Sequence, residues 1–221
     1  MRKHLLPVFI LLIASSVDSQ DVVSRITKNY FRSDPFGKEF SAFMVHLIKD
    51  PAIEKSTMEK RTDSTLFFFD GTYKDGTFNP FFFKPKRIEV VLTEVSVDLD
   101  STTKDTIFIY ELLAYNNATK EGNAEIKKEF DKIFKHYKGN FFRNEYMDTK
   151  GRKLKGDTYN FFDRYHAVAP FALSLYGPDG NNEMCLILTV RLDSFNNMAV
   201  LALPFVPYRI PQQDEEEMDD Q

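Results

Sequence analysis

The densest set of side chains able to do chemistry lies in GDTYNFFDRYHAVAP, residues 156–170, where Asp163, Arg164, Tyr165 and His166 follow one another and Ser174 comes shortly after. A histidine beside a carboxylate can act as a general base, and a serine hydroxyl within its reach would give hydrolase-like chemistry. Adjacency alone does not bring these groups together. In an extended segment successive side chains point to opposite sides, so Asp163 sides with Tyr165 and Arg164 with His166. The sequence therefore assigns no catalytic residue, and a secreted hydrolase-like enzyme using Asp163 and His166 stands as the alternative function. Segment 158–166, with Thr158-Tyr159 at its head and Arg164 and His166 near its end, is expected to offer a binding surface.

Other chemistry finds less support. His46, His136 and His166 fall in three separate elements with no metal-site spacing, so neither metal nor cofactor is expected. The nine glycines are scattered singly, which excludes a phosphate-binding loop, and there is no G-x-S-x-G elbow. Cys185, the single cysteine, sits in EMCLILTV and cannot form an internal bridge. An apolar strand hides a thiol and raises its pKa, so Cys185 is expected to be core.

The run DTKGRKLKGD (148–157) reads as a solvated basic loop, or one that docks the acidic tail or an anionic envelope component. The rest of the chain lacks the broad basic face that nucleic acid requires. Sugar binding is weakened by the absence of tryptophan. The sequon Asn117-Ala118-Thr119 matters only in a eukaryotic secretory path.

The unusual composition is in TLFFFDGTYKDGTFNPFFFKP, residues 65–85, with a phenylalanine triplet at each end. In a strand Phe67 and Phe69 face one way and Phe68 the other. Both faces are then apolar, and both need cover. The triplet at 67–69 is assigned to the core. Asp70-Gly71, Asp75-Gly76 and Asn79-Pro80 mark turns, and Pro80 and Pro85 argue against a central strand around Phe81–Phe83. Tyr73, Phe78, Phe81, Phe82 and Phe83 are therefore expected on an exposed aromatic hairpin able to bind a partner protein or an apolar small molecule.

The positioning elements follow from periodicity. Val22, Val23, Ile26 and Tyr30 predict a first short helix. Phe36, Phe40, Phe43, Met44, Leu47 and Ile48 predict a second, started by Ser33 or Asp34 ahead of Pro35, with a strand over 40–48 as the alternative. Ile126, Phe130, Ile133, Phe134 and Tyr137 form the clearest stripe, capped by Asn123 and ended by Gly139. Strands are predicted at 87–97, 105–115, 171–176, 183–192 and 198–205, joined by short polar links that favour antiparallel hairpins. The expected class is α+β: antiparallel sheet or sheets with two or three packing helices, either one domain over 20–210 or a duplicated helix-plus-strands unit with halves 20–118 and 119–210.

Residues 1–19 combine a basic head, an apolar middle and small residues at Val17 and Ser19, the pattern of a cleaved secretory signal. The apolar run is too short to span a bilayer, and no later stretch replaces it. Export to the periplasm or extracellular space is expected, as a monomer or weak oligomer. Residues 211–221 hold the acidic run DEEEMDD, expected to be a solvated tail or a tether for a basic partner. The resulting expectation is an exported, non-catalytic binding protein whose partner is an envelope or extracellular protein or an apolar small molecule, and not nucleic acid.

Overall fold

A computed structural model describes residues 18–36, 39–60, 67–98, 104–137, 141–144, 156–161 and 171–193. Its helices are α1 (Asp18–Tyr30), α2 (Phe40–Ile48) and α3 (Lys120–His136). Its strands are β1 (Ile53–Lys60), β2 (Phe67–Tyr73), β3 (Arg87–Asp98), β4 (Lys104–Asn117), β5 (Phe141–Asn144), β6 (Gly156–Phe161), β7 (Phe171–Tyr176) and β8 (Glu183–Asp193). The eight strands form one antiparallel sheet in the order β1-β2-β3-β4-β8-β7-β6-β5. The class is α+β. Two helices precede β1–β4 and one helix precedes β5–β8, and β4 and β8 pair at the centre of the sheet.

The stripe on α3 buries Ile126, Phe130 and Ile133 against the sheet. Its start is set by Thr119, whose hydroxyl accepts the Gly122 N–H at 3.0 Å, and not by the expected Asn123. A threonine cap satisfies an otherwise orphaned amide. Gly122 is required because a Cβ there would collide with the Asn117 carbonyl, so the first turn of α3 rests directly on the end of β4.

Helix α2 begins after Glu39, later than the expected start. The Asp34 carboxylate instead accepts from the Phe36 amide at 3.1 Å and the Thr27 hydroxyl at 3.3 Å, holding the turn between the two N-terminal helices. The alternative strand over 40–48 does not form.

Strand alternation sorts the sheet into two faces. Leu92, Tyr110, Leu112, Leu188 and Val190 join the helices in one core. Phe31 and Phe43 flank Tyr110 at 4.6 and 5.2 Å between ring centres, and the Tyr110 hydroxyl donates to the Ser33 carbonyl at 3.1 Å. The opposite face carries a separate buried cluster of Leu113, Tyr115, Cys185 and Ile187, to which no described helix contributes. Burial pushes the Cys185 thiol pKa up, in line with a core thiol.

Three local expectations change. Asp70-Gly71 is not a turn: β2 continues to Tyr73, and Gly71 pairs with Val90. Any Cβ at Gly71 would press on the Ile53 side chain, so the glycine admits the neighbouring strand. Residues 156–161, split in the sequence between the end of the basic loop and the start of the expected binding segment, form β6, where Thr158 bonds to Ser174 of β7 on one face and Tyr159 meets α3 on the other. Strand β1, IEKSTMEK, was not anticipated, because its charged sequence is that of an exposed sheet edge. The predicted strand at 198–205 lies outside the described residues.

Candidate binding surface

The segment between β2 and β3 holds the second phenylalanine triplet. It opens with the turn at Asp75-Gly76, where Gly76 takes φ 72°, a conformation glycine adopts at little steric cost. Asn79 then folds the chain around its own side chain. Its Oδ1 accepts the Phe81 amide at 3.0 Å, and its Nδ2 donates to the Phe83 carbonyl at 2.9 Å. This asparagine turn points alternate rings in opposite directions.

The expectation of an exposed set is corrected by that geometry. Phe81 and Phe83 are buried, with ring centres 5.6 Å apart, and Phe81 meets Tyr30 of α1 at 5.9 Å. Phe78 is half-buried against Tyr73 at 4.7 Å. Tyr73 itself is core; burial raises its pKa, and its hydroxyl has no hydrogen-bond partner among the described residues. Phe82 alone projects, 82% exposed.

What sets Phe82 apart from the other large exposed apolar side chains, Val45 and Met58, is its fixation. Its amide donates to Glu129 Oε2 at 3.2 Å. Glu129, on α3 and almost wholly buried, also accepts Lys132 Nζ on Oε1 at 3.1 Å. The same ammonium lies 3.3 Å from the centre of the Phe82 ring. One carboxylate thus holds both the backbone and the cation that sits on the ring. A cation on an exposed ring contributes about 0.5–1 kcal/mol, and leaving the ring in water forgoes roughly 1.5–3 kcal/mol of burial. The sequence reading took Asn79 only as a turn residue and missed Glu129 and Lys132. The available signals were an asparagine two residues before a phenylalanine and a Glu–Lys pair at helical spacing three.

Beside this ring, α1 and α3 enclose a groove of about 1020 Å³. Its wall carries Lys127, Lys128, Lys132 and Lys135 with Asp131 as the only carboxylate, and Asn29 closes the floor by donating to the Tyr137 hydroxyl at 3.3 Å. Where the triplet segment enters β3, Lys86 and Arg87 both bind the buried carboxylate of Glu183 at the start of β8, Lys86 at 2.6 Å. Burial alone would raise the Glu183 pKa, but the two cations bring it below the ordinary carboxylate value.

Of the second predicted surface, 158–166, only Thr158–Phe161 fall among the described residues. Tyr159 is half-buried, its ring 4.8 Å from Phe134 and 5.7 Å from Phe130. Ser174 is buried and accepts the Thr158 hydroxyl at 3.0 Å, which removes it as an accessible nucleophile. Asp163, Arg164 and His166 lie outside the described residues, as does most of the 148–157 run.

Among the described residues no group of three or more His, Cys, Asp or Glu could hold a metal ion, and no helix is long and apolar enough to cross a membrane. Comparison with protein-family models, with curated proteins and with solved structures finds no match for the chain.

Proposed function

We propose that this chain is an exported, non-catalytic binding protein that engages an envelope or extracellular protein through Phe82. The observation that carries the reading is the exposed Phe82 ring under the Lys132 ammonium, with its backbone amide held by Glu129. Aromatic anchors that are already immobilised lose little conformational freedom on association. The lysines along the adjoining groove favour a protein partner over an apolar small molecule, because apolar ligands select apolar concavities. Export rests on the signal-like residues 1–19. The first described buried side chain is Val23, so a cut after Ser19 leaves the packed part of α1 whole. Four antiparallel strands following helix in both 20–118 and 119–210 support a duplicated helix-plus-strands unit, although the first half carries one helix more.

The test is native mass spectrometry of the protein purified from its own host, beside a Phe82→Ser variant. A protein partner retained by the first and lost by the second, at equal melting temperature, is the expected result. A partner retained equally by both removes Phe82 from the interface, and a lipid-like retained mass returns the apolar-ligand reading.

A further inference from the structure

The groove between α1 and α3 has more positive charge than its surroundings balance. Lys127 pairs with Asp131 at 3.4 Å and Lys132 with Glu129 at 3.1 Å. Lys128 and Lys135 line the same groove and have no ion pair among the described residues. We propose that this groove is the docking site of the chain's own acidic run, residues 214–220.

Charge complementarity is the first support. DEEEMDD presents six carboxylates and no cation, against a wall of four lysines and one aspartate. Reach is the second. Strand β8 ends at Asp193. Three residues earlier, Val190 pairs with Phe171, whose ring lies 6.5 Å from Tyr137, which lines the groove. The end of β8 is therefore on the order of 20 Å from the groove, from three strand residues at about 3.3 Å each, one strand spacing of about 5 Å and the 6.5 Å between the rings. Residues 194–213 could span roughly 60–70 Å if extended, far more than required.

Tethering makes weak contacts sufficient. Exposed ion pairs contribute only about 0–1 kcal/mol each, but a segment on a flexible linker faces its site at an effective concentration of the order of millimolar. The two unpaired lysines are not equivalent. Lys135, in the last turn of α3, already interacts with the partial negative charge of the helix C-terminus, whereas Lys128, in mid-helix, does not, so Lys128 should respond more. The groove shares Lys132 with the Phe82 site, but the Lys128 readout does not require that Phe82 bind a partner.

The experiment compares the full chain with the full chain carrying Glu215→Gln, Glu216→Gln and Glu217→Gln. Acylation rates at individual lysines are read by peptide mass spectrometry at about 10 mM and about 1 M salt, where screening lengths are roughly 30 and 3 Å. At low salt Lys128 should react at least about threefold faster in the variant, with a smaller change at Lys135 and none at Lys49, away from the groove. High salt should erase the difference. Equal Lys128 rates in the two proteins at low salt would overturn the proposal. A change confined to Lys150, Lys153 and Lys155 would move the docking site to the other basic run, and a difference that grows with protein concentration would assign the acidic run to a second copy.

Discussion

The two phenylalanine triplets have the same composition and opposite organisation. In Phe67-Phe68-Phe69 the backbone is a ladder strand, paired to β1 and β3, and Phe69, at 1% exposure, is the ring driven into the core. In Phe81-Phe82-Phe83 the outer two rings are buried and the middle one is in water. The first triplet is positioned by the sheet, the second by one asparagine and one glutamate. Burial of a phenylalanine therefore does not require regular structure; it requires that the backbone polar groups of the segment find partners, and Asn79 and Glu129 supply them.

This contrast can be broken at its strong end or sharpened at its weak one. Phe69→Ala should have the largest effect, a loss of about 3–5 kcal/mol in chemical denaturation, because the sheet cannot collapse around the cavity. Phe81→Ala should cost about 3 kcal/mol despite lying outside any strand; a loss as small as that of a surface residue would mean that the second triplet is not core.

Glu183→Gln comes next. Removing one partner of a fully buried ion pair costs about 3–5 kcal/mol, but Lys86 is half exposed and Arg87 keeps Glu89 at 2.7 Å, so about 2 kcal/mol is expected. The same clamp gives a pH dependence. The folded pKa of Glu183 is lowered, so its contribution is complete above the unfolded carboxylate value and disappears as pH falls through the folded one. Acid unfolding followed at Glu183→Gln should lack that component.

Asn79→Ala should lose about 1–2 kcal/mol, the sum of two hydrogen bonds, and speed hydrogen exchange at the Phe81 amide while leaving Phe69 protected. Phe82→Ser should change stability by no more than about 1 kcal/mol, the most that a cation on an exposed ring contributes. A larger loss would show that the Lys132 contact is structural and not a feature of the surface.

The parts legible in the sequence were those in which one periodicity dominates. The stripe Ile126, Phe130 and Ile133 located α3, and the apolar runs around Tyr110 and Leu188 located the central strands. Strand β1 was not legible because an edge strand bears charges on every side, and β6 was not because its alternation of Thr158 and Asn160 with Tyr159 and Phe161 is short and directly follows a basic, glycine-containing run. Phe81 and Phe83 were misplaced for a different reason. Prolines and turn residues correctly excluded a strand, but exclusion of a strand was equated with exposure. The contact that decides the matter, Phe81 with Tyr30, joins segments about fifty residues apart in sequence, and no local pattern encodes it. At the candidate site the ring itself was found, whereas Glu129 and Lys132, which fix it, come from another element.

The pairing of β4 with β8 has a consequence for synthesis. Glu111 and Thr189 bond across this seam although they are 78 residues apart, and closing so long a loop is slow compared with forming a hairpin. On the ribosome, at about 5–20 residues per second, β4 is exposed for several seconds before its partner exists. During that interval the unpaired edge of Ile107, Leu112 and Leu113 is the nascent chain's most adhesive surface, so the interval before β8 emerges is when a chaperone would have most to protect.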